Sequence, residues 1–199
     1  PQPGPAPSAA TDAVVASKVF PRFLASLRHE AAPVLLDLGP GVGSNVTFFG
    51  EQLACKLYVE DLFSDVEAFA ARGDRAGLAA HFQTRLTQAP GSVDGVLCWD
   101  LFDFLDKPTG QVLAARLAAL VRKGGALYGT FGTKPTELRQ YTRTVLEGET
   151  GFRLRHSPAT PVTRTVLLTR DIIKMFDGLI VAESVLLKSN TRETLFRRP

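Results

Sequence analysis

The sequence predicts an α/β fold in which helices flank a mostly parallel β-sheet. Short apolar segments of strand length alternate along the chain with longer segments whose apolar residues recur at helical spacing. The strand-like segments are apolar on both faces, which is typical of parallel strands covered by helices on each side. The last two predicted strands are joined by a tight turn, which indicates an antiparallel β-hairpin at the C-terminal end.

Seven segments have strand character. The predicted parallel strands span residues 34–38, 57–60, 93–100 and 126–131, and a weaker strand is predicted near 81–84. The C-terminal hairpin comprises residues 180–188 and 191–197, with Ser189 and Asn190 at the turn. Together they predict a seven-stranded sheet.

The helical segments lie between these strands. Asp12 is predicted to cap a first helix that runs to about His29 and is interrupted at Pro21. Its apolar stripe consists of Val15, Val19, Phe23 and Leu27. The other predicted helices cover about nine residues from Ser44, residues 66–82 with a break at Gly73-Asp74, residues 112–121, and residues 169–179. The sequence Lys123-Gly124-Gly125 is a good signal for the end of a helix.

Two segments depart from this alternation. Residues 1–11 are rich in Pro, Ala and Ser and are predicted to be disordered, which leaves residues 12–199 as a single domain. Residues 133–166 carry many Thr, Arg and Gly residues and indicate an insertion on the substrate side of the domain, with one helix over residues 136–146. We expect this insertion to act as a lid.

Composition limits the classes of function. The chain has 199 residues, 45% of them hydrophobic, which is enough for one substantial core. A net charge of +3 suits an anionic ligand but falls short of a dedicated nucleic-acid binder. Cys55 and Cys98 lie in apolar segments and indicate buried, reduced thiols, and no spacing predicts a metal site. No segment predicts a membrane span or a signal peptide, so we expect a cytoplasmic protein.

The stretch VLLDLGPGVGSNV, residues 34–46, indicates a nucleotide-binding loop. A phosphate-binding P-loop requires Gly-Lys followed by Ser or Thr, whereas Gly43 is followed directly by Ser44. A dinucleotide-binding loop has a third glycine where this chain has Ser44. Asp37, two residues before the loop, would repel a pyrophosphate but would favour a ligand that carries positive charge.

Five sequence elements together resemble the class I S-adenosylmethionine-dependent methyltransferases. The first motif of that family, D-x-G-x-G-x-G, is matched by residues 37–43. An acidic pair, Glu60-Asp61, ends the second strand, and Thr84 stands ten residues before Asp94 at the usual offset of the residue that contacts adenine. VDGVLCWDLFDFL resembles the fourth motif, and LAALVRKGGALYGTF resembles the helix, turn and fifth strand that follow. The resemblance covers about residues 30–132 and 165–198.

The resemblance implies a Rossmann-like fold, S-adenosylmethionine as cofactor and S-adenosylhomocysteine as product. It implies that one carboxylate of the pair Glu60 and Asp61 binds both ribose hydroxyls, and the sequence leaves open which one. At the adenine position this chain has Thr84-Arg85, where the family often has Asp. The implied cofactor-binding residues are Asp37, Gly39, Pro40, Gly41, Gly43, Glu60, Asp61, Leu62, Thr84, Arg85 and Asp100.

Two residues are candidates for a catalytic role. Asp100 ends a predicted strand and could face the methionine tail or the substrate, and His156 is the histidine that lies within the insertion. Cys98 follows Leu97 rather than proline, which argues against the nucleophile of a cytosine-5 methyltransferase. Methyl transfer from a sulfonium is a single in-line displacement, so alignment of donor and acceptor could supply most of the catalysis without a dedicated base.

The insertion also bears on the acceptor. Its six cations, Lys134, Arg139, Arg143, Arg153, Arg155 and Arg164, are interleaved with Glu137, Glu147 and Glu149. This mixture favours a small or medium-sized acceptor with an O, N or C nucleophile over nucleic acid, and we expect no membrane partner. Three alternatives stay open: a non-catalytic adenosyl-binding or regulatory module on the same fold, an aminopropyl-type transferase, and an NAD-linked reductase, which Asp37 and Ser44 disfavour.

Overall fold

A computed structural model describes residues 14–199 of the chain. The predicted disordered segment 1–11 and the predicted cap Asp12 lie outside the described residues. The strands are β1 (Val14–Ala16), β2 (Val34–Asp37), β3 (Lys56–Val59), β4 (Val93–Trp99), β5 (Val121–Gly132), β6 (Glu137–Leu146), β7 (Gly151–Thr163), β8 (Ile180–Leu186) and β9 (Thr191–Arg197). The helices are α1 (Phe20–Leu27), α2 (Gly43–Leu53), α3 (Leu62–Ala71), α4 (Arg75–Arg85), α5 (Lys107–Leu120) and α6 (Thr169–Met175), with a 3₁₀ helix at Leu101–Phe104.

The main sheet has six strands in the order β3-β2-β4-β5-β9-β8. The first four are parallel, and β9 runs antiparallel to both β5 and β8. Helices α1 and α2 cover one face, and helices α3 to α6 cover the other. Alternate residues of β4 therefore enter different cores: Cys98 packs with α3 and α5, whereas Leu97 and Trp99 pack with α1. The predicted α/β architecture is confirmed.

The predicted seventh strand near residues 81–84 is wrong. This segment is the last part of helix α4, whose N-terminus is capped by Asp74 through a 2.9 Å hydrogen bond from the Gly77 amide. Leu78 and Phe82, four residues apart, are the buried residues of the helix, and both belong to the core that α5 also enters. Helical spacing of the apolar residues therefore outweighs the weak strand pattern.

The predicted first helix is also partly wrong. Residues 14–16 form strand β1, in which Val15 pairs with Phe152 of β7, and the helix begins only at Phe20. The carboxylate of Glu193 accepts hydrogen bonds from the Ser17 hydroxyl at 2.5 Å and the Lys18 amide at 3.0 Å, which fixes the bend between strand and helix. Pro21 lies in the first helical turn, where no amide donor is needed, so it starts the helix instead of interrupting it.

The insertion contains no helix where one was predicted over residues 136–146. That segment is strand β6, which pairs along its whole length with β7, and β7 in turn pairs with β1 to complete a second, three-stranded sheet. The β-branched and aromatic residues Tyr141, Thr142, Thr144 and Val145 suit a strand once a partner is present. We call the β6–β7 hairpin the lid, because it covers the carboxyl ends of the parallel strands.

Candidate active site

The candidate site lies where the order of the parallel strands reverses. From β2 the chain passes to β3 on one side, and β4 joins β2 on the other side. The carboxyl ends of β2 and β4, which carry Asp37 and Trp99, therefore meet at a crevice, the usual ligand position in open α/β sheets. Leu38 extends the contact, since its amide donates to the Leu97 carbonyl at 3.0 Å.

Asp37 is buried beneath the glycine loop and holds it in place. Its Oδ1 accepts hydrogen bonds from the Gly39 amide at 2.9 Å and from the Trp99 indole Nε1 at 2.6 Å. A Cβ atom at Gly39 would lie 2.7 Å from the Trp99 ring, so glycine is required for this packing. Burial raises the pKa of the Asp37 carboxyl from 3.8 to about 6, against the opposing effect of both hydrogen bonds.

The rest of the loop leads into helix α2 with its N-terminus open. No side chain caps the helix, and its first turn carries no acid. Within residues 14–199, the backbone amides of Gly41, Val42, Gly43 and Ser44 donate no hydrogen bond. A Cβ at Gly43 would meet no atom within 4 Å. Unpaired amides at a helix N-terminus attract anions such as a carboxylate.

The acidic pair after β3 divides into two different environments. Both carboxylate oxygens of Glu60 are engaged, one by the Arg85 guanidinium and the other by the Gln88 amide, each at 2.6 Å. Asp61 adopts a left-handed backbone conformation with φ of 43° and caps α3, accepting from the Ser64 amide at 3.3 Å and from the Ser64 hydroxyl at 2.7 Å. Of the two, it is Asp61 that lines a cavity beside the glycine loop.

This cavity, which we call the loop cavity, has a volume of about 330 Å³. It is bounded by the glycine loop, α3 and the lid, and its lining residues are Pro40, Asp61, Phe63, Ser64, Glu67, Ala68, Tyr141, Arg143 and Ser157. The Tyr141 ring packs edge-on against Phe63, at 5.5 Å between centroids, and lies tilted against Phe104, at 4.7 Å. Sequence reasoning missed Phe63 and Tyr141, and it considered Arg143 only as one of the six cations of the insertion. Tyr141 and Arg143 lie on β6, and a sequence pattern interpreted as a helix gives no indication that these two residues line a cavity.

Three residues implied by the resemblance lie away from this cavity. Thr84 is exposed on α4, where its hydroxyl lies 3.4 Å from the His81 carbonyl. Arg85 is held by the carboxylates of Glu60 and Asp65, at 2.6 and 2.9 Å. Leu62 is buried in the core, and its amide donates to the Leu38 carbonyl at 3.0 Å. The structure thus brings Asp61 to the glycine loop, but not Thr84 or Arg85.

A second cavity, the Asp100 cavity, has a volume of about 200 Å³ and lies beyond the ends of β4 and β5. Asp103, in the 3₁₀ helix, accepts from the Gly132 amide at 2.9 Å and pairs with Arg164 at 2.8 Å. Burial raises the pKa of the Asp103 carboxyl to about 7 and that of the Asp100 carboxyl to about 6. Both acids therefore titrate closer to neutrality than an exposed aspartate does.

Strand β6 of the lid lies between the two cavities. Tyr141 and Arg143 face the loop cavity, whereas Thr142 and Thr144 face the Asp100 cavity, as the alternation of a strand requires. The side chain of Asn45 on α2 fastens the strand, donating to the Thr144 carbonyl at 2.8 Å and accepting from the Leu146 amide at 2.9 Å. A second fastening joins Glu67 on α3 to Thr160 of β7, with hydrogen bonds of 2.7 and 2.9 Å.

The other two residues that the sequence analysis considered for chemistry, His156 and Cys98, do not lie together at a catalytic site. His156 is exposed on β7 opposite Thr142 and does not line either cavity, although its charge lowers the pKa of Asp100. Cys98 is fully buried, and burial raises the pKa of its thiol well above the ordinary value, which suits an inert core residue. Among residues 14–199, no group of His, Cys, Asp and Glu is arranged to hold a metal ion, and no helix has the length and apolarity to cross a membrane.

Three of the six cations of the insertion are paired with acids. Arg139 binds Glu137 at 2.7 Å, Arg153 binds Glu147 at 2.8 Å, and Arg164 binds Asp103 at 2.8 Å. Arg143 lines the loop cavity. Pairing with acids lowers the net positive potential of the lid, which is unlike a surface built for a phosphate backbone.

No protein-family model matches the chain, and no curated protein matches it in sequence. Solved structures do match it. An S-adenosylmethionine-dependent methyltransferase from Clostridium acetobutylicum is 13% identical, with 89% of this chain and 90% of that chain covered at a TM-score of 0.51. The CcbJ methyltransferase from Streptomyces caelestis is 16% identical, with 90% and 93% covered at a TM-score of 0.50. An S-adenosylmethionine-dependent methyltransferase from Methanosarcina mazei is 11% identical, with 85% and 93% covered at 0.50. The chain therefore has the fold of the class I S-adenosylmethionine-dependent methyltransferases.

Proposed function

We propose that the protein binds S-adenosylmethionine at the glycine loop and transfers its methyl group to a small or medium-sized acceptor. The observation that carries this proposal is that two features flank the glycine loop, which contributes Pro40 to the wall of the loop cavity. The unpaired amides of residues 41–44 lie at the N-terminus of α2, and the Asp61 carboxylate lines the cavity that adjoins the same loop. An amino acid joined to a ribose has the matching groups, a carboxylate at one end and vicinal hydroxyls at the other.

The residues present fit such a ligand in three places. The α2 amides would receive the carboxylate of the methionine tail, and the open space at Gly43 leaves room for it. Asp61 would accept the ribose hydroxyls, since of the acidic pair it is the residue that lines the loop cavity, whereas Glu60 is bound by Arg85 and Gln88. Phe63 and Tyr141 would offer aromatic surface to the adenine in place of the predicted Thr84. Asp37 acts beneath the loop, by positioning Gly39.

The bound cofactor would supply an electrophilic methyl group on a sulfonium. The protein's own contribution is alignment, because a single in-line displacement depends mainly on the distance and angle between donor and acceptor. Asp100 stands at the end of β4, beside the crevice, and is the group placed to accept a proton or to hold the acceptor. Asp103 is committed to Gly132 and Arg164, which weakens the aminopropyl-type alternative with its need for several free acids.

A second function is favoured by one observation. Strand β6 lies between the loop cavity and the Asp100 cavity and is fastened by Asn45. A lid that keeps this position would let the loop cavity bind an adenosyl ligand without bringing its methyl group to an acceptor. A non-catalytic adenosyl-binding module is therefore the alternative. Methylation assays cannot separate the two until an acceptor is known, whereas cofactor binding is common to both.

Calorimetric titration with S-adenosylmethionine, S-adenosylhomocysteine and NAD tests the shared step. We expect both adenosyl ligands to bind at least tenfold more tightly than NAD, because the loop has neither the third glycine nor a suitable charge for pyrophosphate. Absence of heat with both adenosyl ligands would contradict the proposal. Tighter binding of NAD would instead support the NAD-linked reductase.

Substitution of Asp61 tests the assignment of the ribose contact. We expect Asp61→Ala to weaken S-adenosylmethionine binding more than tenfold, about 1.4 kcal/mol or more, because two charge-assisted hydrogen bonds are lost. Glu60→Gln is the matched control and should change the dissociation constant less than threefold. The opposite pattern, a strong effect of Glu60→Gln and none of Asp61→Ala, would move the ribose contact to Glu60.

A further inference from the structure

Asp100 has an oxygen without a partner. Its Oδ1 atom is buried, yet it accepts no hydrogen bond from residues 14–199. Hydrogen bonding to Thr142 is the contact that lowers the pKa of the carboxyl most, against the larger effect of burial. Asp100 lines the Asp100 cavity, and a buried acceptor oxygen that lacks a donor is costly, about 1–3 kcal/mol and more for a charged group, unless a ligand supplies the donor.

The other two acids that line this cavity are already bound by hydrogen-bond donors. Asp103 is bound by the Gly132 amide and the Arg164 guanidinium. Glu193 is fully buried and accepts from the Ser17 hydroxyl at 2.5 Å, the Tyr128 hydroxyl at 2.8 Å, and two backbone amides. Of the three carboxylates from residues 14–199 that line the cavity, Asp100 is the one with a free acceptor atom.

The remaining walls of the cavity suit an organic group that donates hydrogen bonds. Hydroxyls line one part, from Thr130, Thr142, Thr144, Ser189 and Thr191, and they can accept as well as donate. The rings of Trp99 and Phe152 line another part, and such rings attract a cation placed over their faces. Arg164 is the cation that lines the cavity within residues 14–199, and it is paired with Asp103, so an anionic ligand would find no free positive partner.

We propose that the Asp100 cavity binds a small amine, or the amine-bearing end of a larger molecule, through the Asp100 carboxylate, and that this nitrogen is the methyl acceptor. The second half of this inference rests on the proposed function and requires β6, which lies between the two cavities, to move aside, whereas the first half requires neither. Transfer of a proton from the bound ammonium to Asp100 Oδ1 frees the nitrogen lone pair. The lone pair then forms the bond to the methyl carbon as the carbon–sulfur bond breaks and leaves its electrons on sulfur. The carboxylic acid returns its proton to solvent.

The inference predicts a specific pH dependence. The cations that act on Asp100 are Arg164 and His156, and both lower the pKa of its carboxyl. Asp100 in turn raises the pKa of the neighbouring Asp103 carboxyl as a like charge. With the pKa of Asp100 at about 6, the carboxylate that holds the ammonium is lost as the pH falls through 6. Amine binding should therefore weaken between pH 7 and pH 5, while a neutral alcohol of the same shape should be unaffected.

Three probes of matched shape test the binding step with the full chain and no cofactor: benzylamine, benzyl alcohol and benzoate, titrated by ligand-observed NMR. We expect benzylamine to bind at least tenfold more tightly than benzyl alcohol at pH 7.5, and this preference to fall at least fivefold at pH 5. Equal binding of the alcohol, tighter binding of benzoate, or a preference independent of pH would each overturn the inference. These outcomes need no variant and so do not depend on whether a substitution folds.

Asp100→Asn supplies the residue-level test, with the exposed Asp177→Asn as its matched control. Loss of the amine preference in Asp100→Asn, but not in Asp177→Asn, is the expected result, and an unchanged preference in both would overturn the assignment. A separate titration with S-adenosylmethionine distinguishes the two proposals. Failure of amine binding alongside normal cofactor binding overturns this inference alone, whereas failure of cofactor binding with normal amine binding overturns the proposed function.

Discussion

At the scale of single residues, the buried carboxylate of Asp37 holds the glycine loop in place. Its carboxylate supports both Gly39 and Trp99, and Trp99 itself adopts a left-handed backbone conformation with φ of 50°. Burial raises the pKa from 3.8 to about 6, so the folded state binds a proton more tightly than the unfolded chain does. The stability of the wild-type protein therefore includes a term that is favourable below pH 4 and is lost as the pH rises through 6.

Asp37→Asn should remove this term while keeping an oxygen for the two hydrogen bonds. We expect the free energy of unfolding of the variant, relative to wild type, to rise by about 3 kcal/mol between pH 4 and pH 7, since two pKa units correspond to about that value. Urea unfolding across this range measures it. Glu51→Gln is the control, since it removes an exposed carboxylate on α2 instead of a buried one. A pH-independent difference for Asp37→Asn would show that the carboxyl titrates normally.

At the scale of elements, the lid depends on a few polar contacts with the Rossmann-like sheet and its helices. Asn45 is 3% exposed and satisfies two backbone groups of β6, at Thr144 and Leu146. Asn45→Ala should leave both groups unpaired and so destabilise the lid by about 1–3 kcal/mol. We expect amide hydrogen exchange to accelerate in β6 and β7 but not in β2 or β4. Uniform acceleration across both sheets would instead mean that the lid unfolds only with the whole domain.

Thr47→Ala is the matched control for the lid experiment. Thr47 lies on the same helix, is exposed, and bonds only to the Gly43 carbonyl within α2 at 3.3 Å. Its removal should leave exchange in the lid unchanged. If Asn45→Ala also increases the association rate of S-adenosylmethionine, movement of β6 is part of ligand access to the loop cavity.

The sequence predicted elements well where local pattern decides them and poorly where distant partners do. Strands β2, β4 and β5 are buried on both faces. Each contains a run of apolar residues, so a few neighbouring residues of the sequence are enough to predict the strand. Strand β6 becomes a strand because β7 pairs with it and β1 extends the same sheet, and β1 is more than a hundred residues away along the chain. Arg85 likewise does not lie at the predicted adenine position, because on α4 its side chain pairs with the distant residues Glu60 and Asp65.

At the scale of the whole molecule, strand order determines where the site lies. The reversal between β2 and β4 brings Asp37, Trp99 and Asp100 to one crevice. The sequence predicted Asp37 and Asp100 as members of one site but did not predict Trp99 there. The division of the site into a loop cavity and an Asp100 cavity was not predicted either, because it is produced by the lid. Glu193 joins the two sheets, since this residue of β9 binds Ser17, next to β1, and Tyr128 of β5.

The central claim is that S-adenosylmethionine occupies the loop cavity between the glycine loop, α3 and the lid. A titration followed by amide-resolved NMR tests this most directly, since it reports binding and position together. We predict that the largest shift changes occur at Gly41, Gly43 and Ser44 in the loop, at Asp61 and Ser64 on the α3 side, and at Tyr141 and Arg143 of β6. Amides of the β8–β9 hairpin should stay unchanged. Saturable shifts confined to another surface, or no shifts at millimolar ligand, would contradict the account.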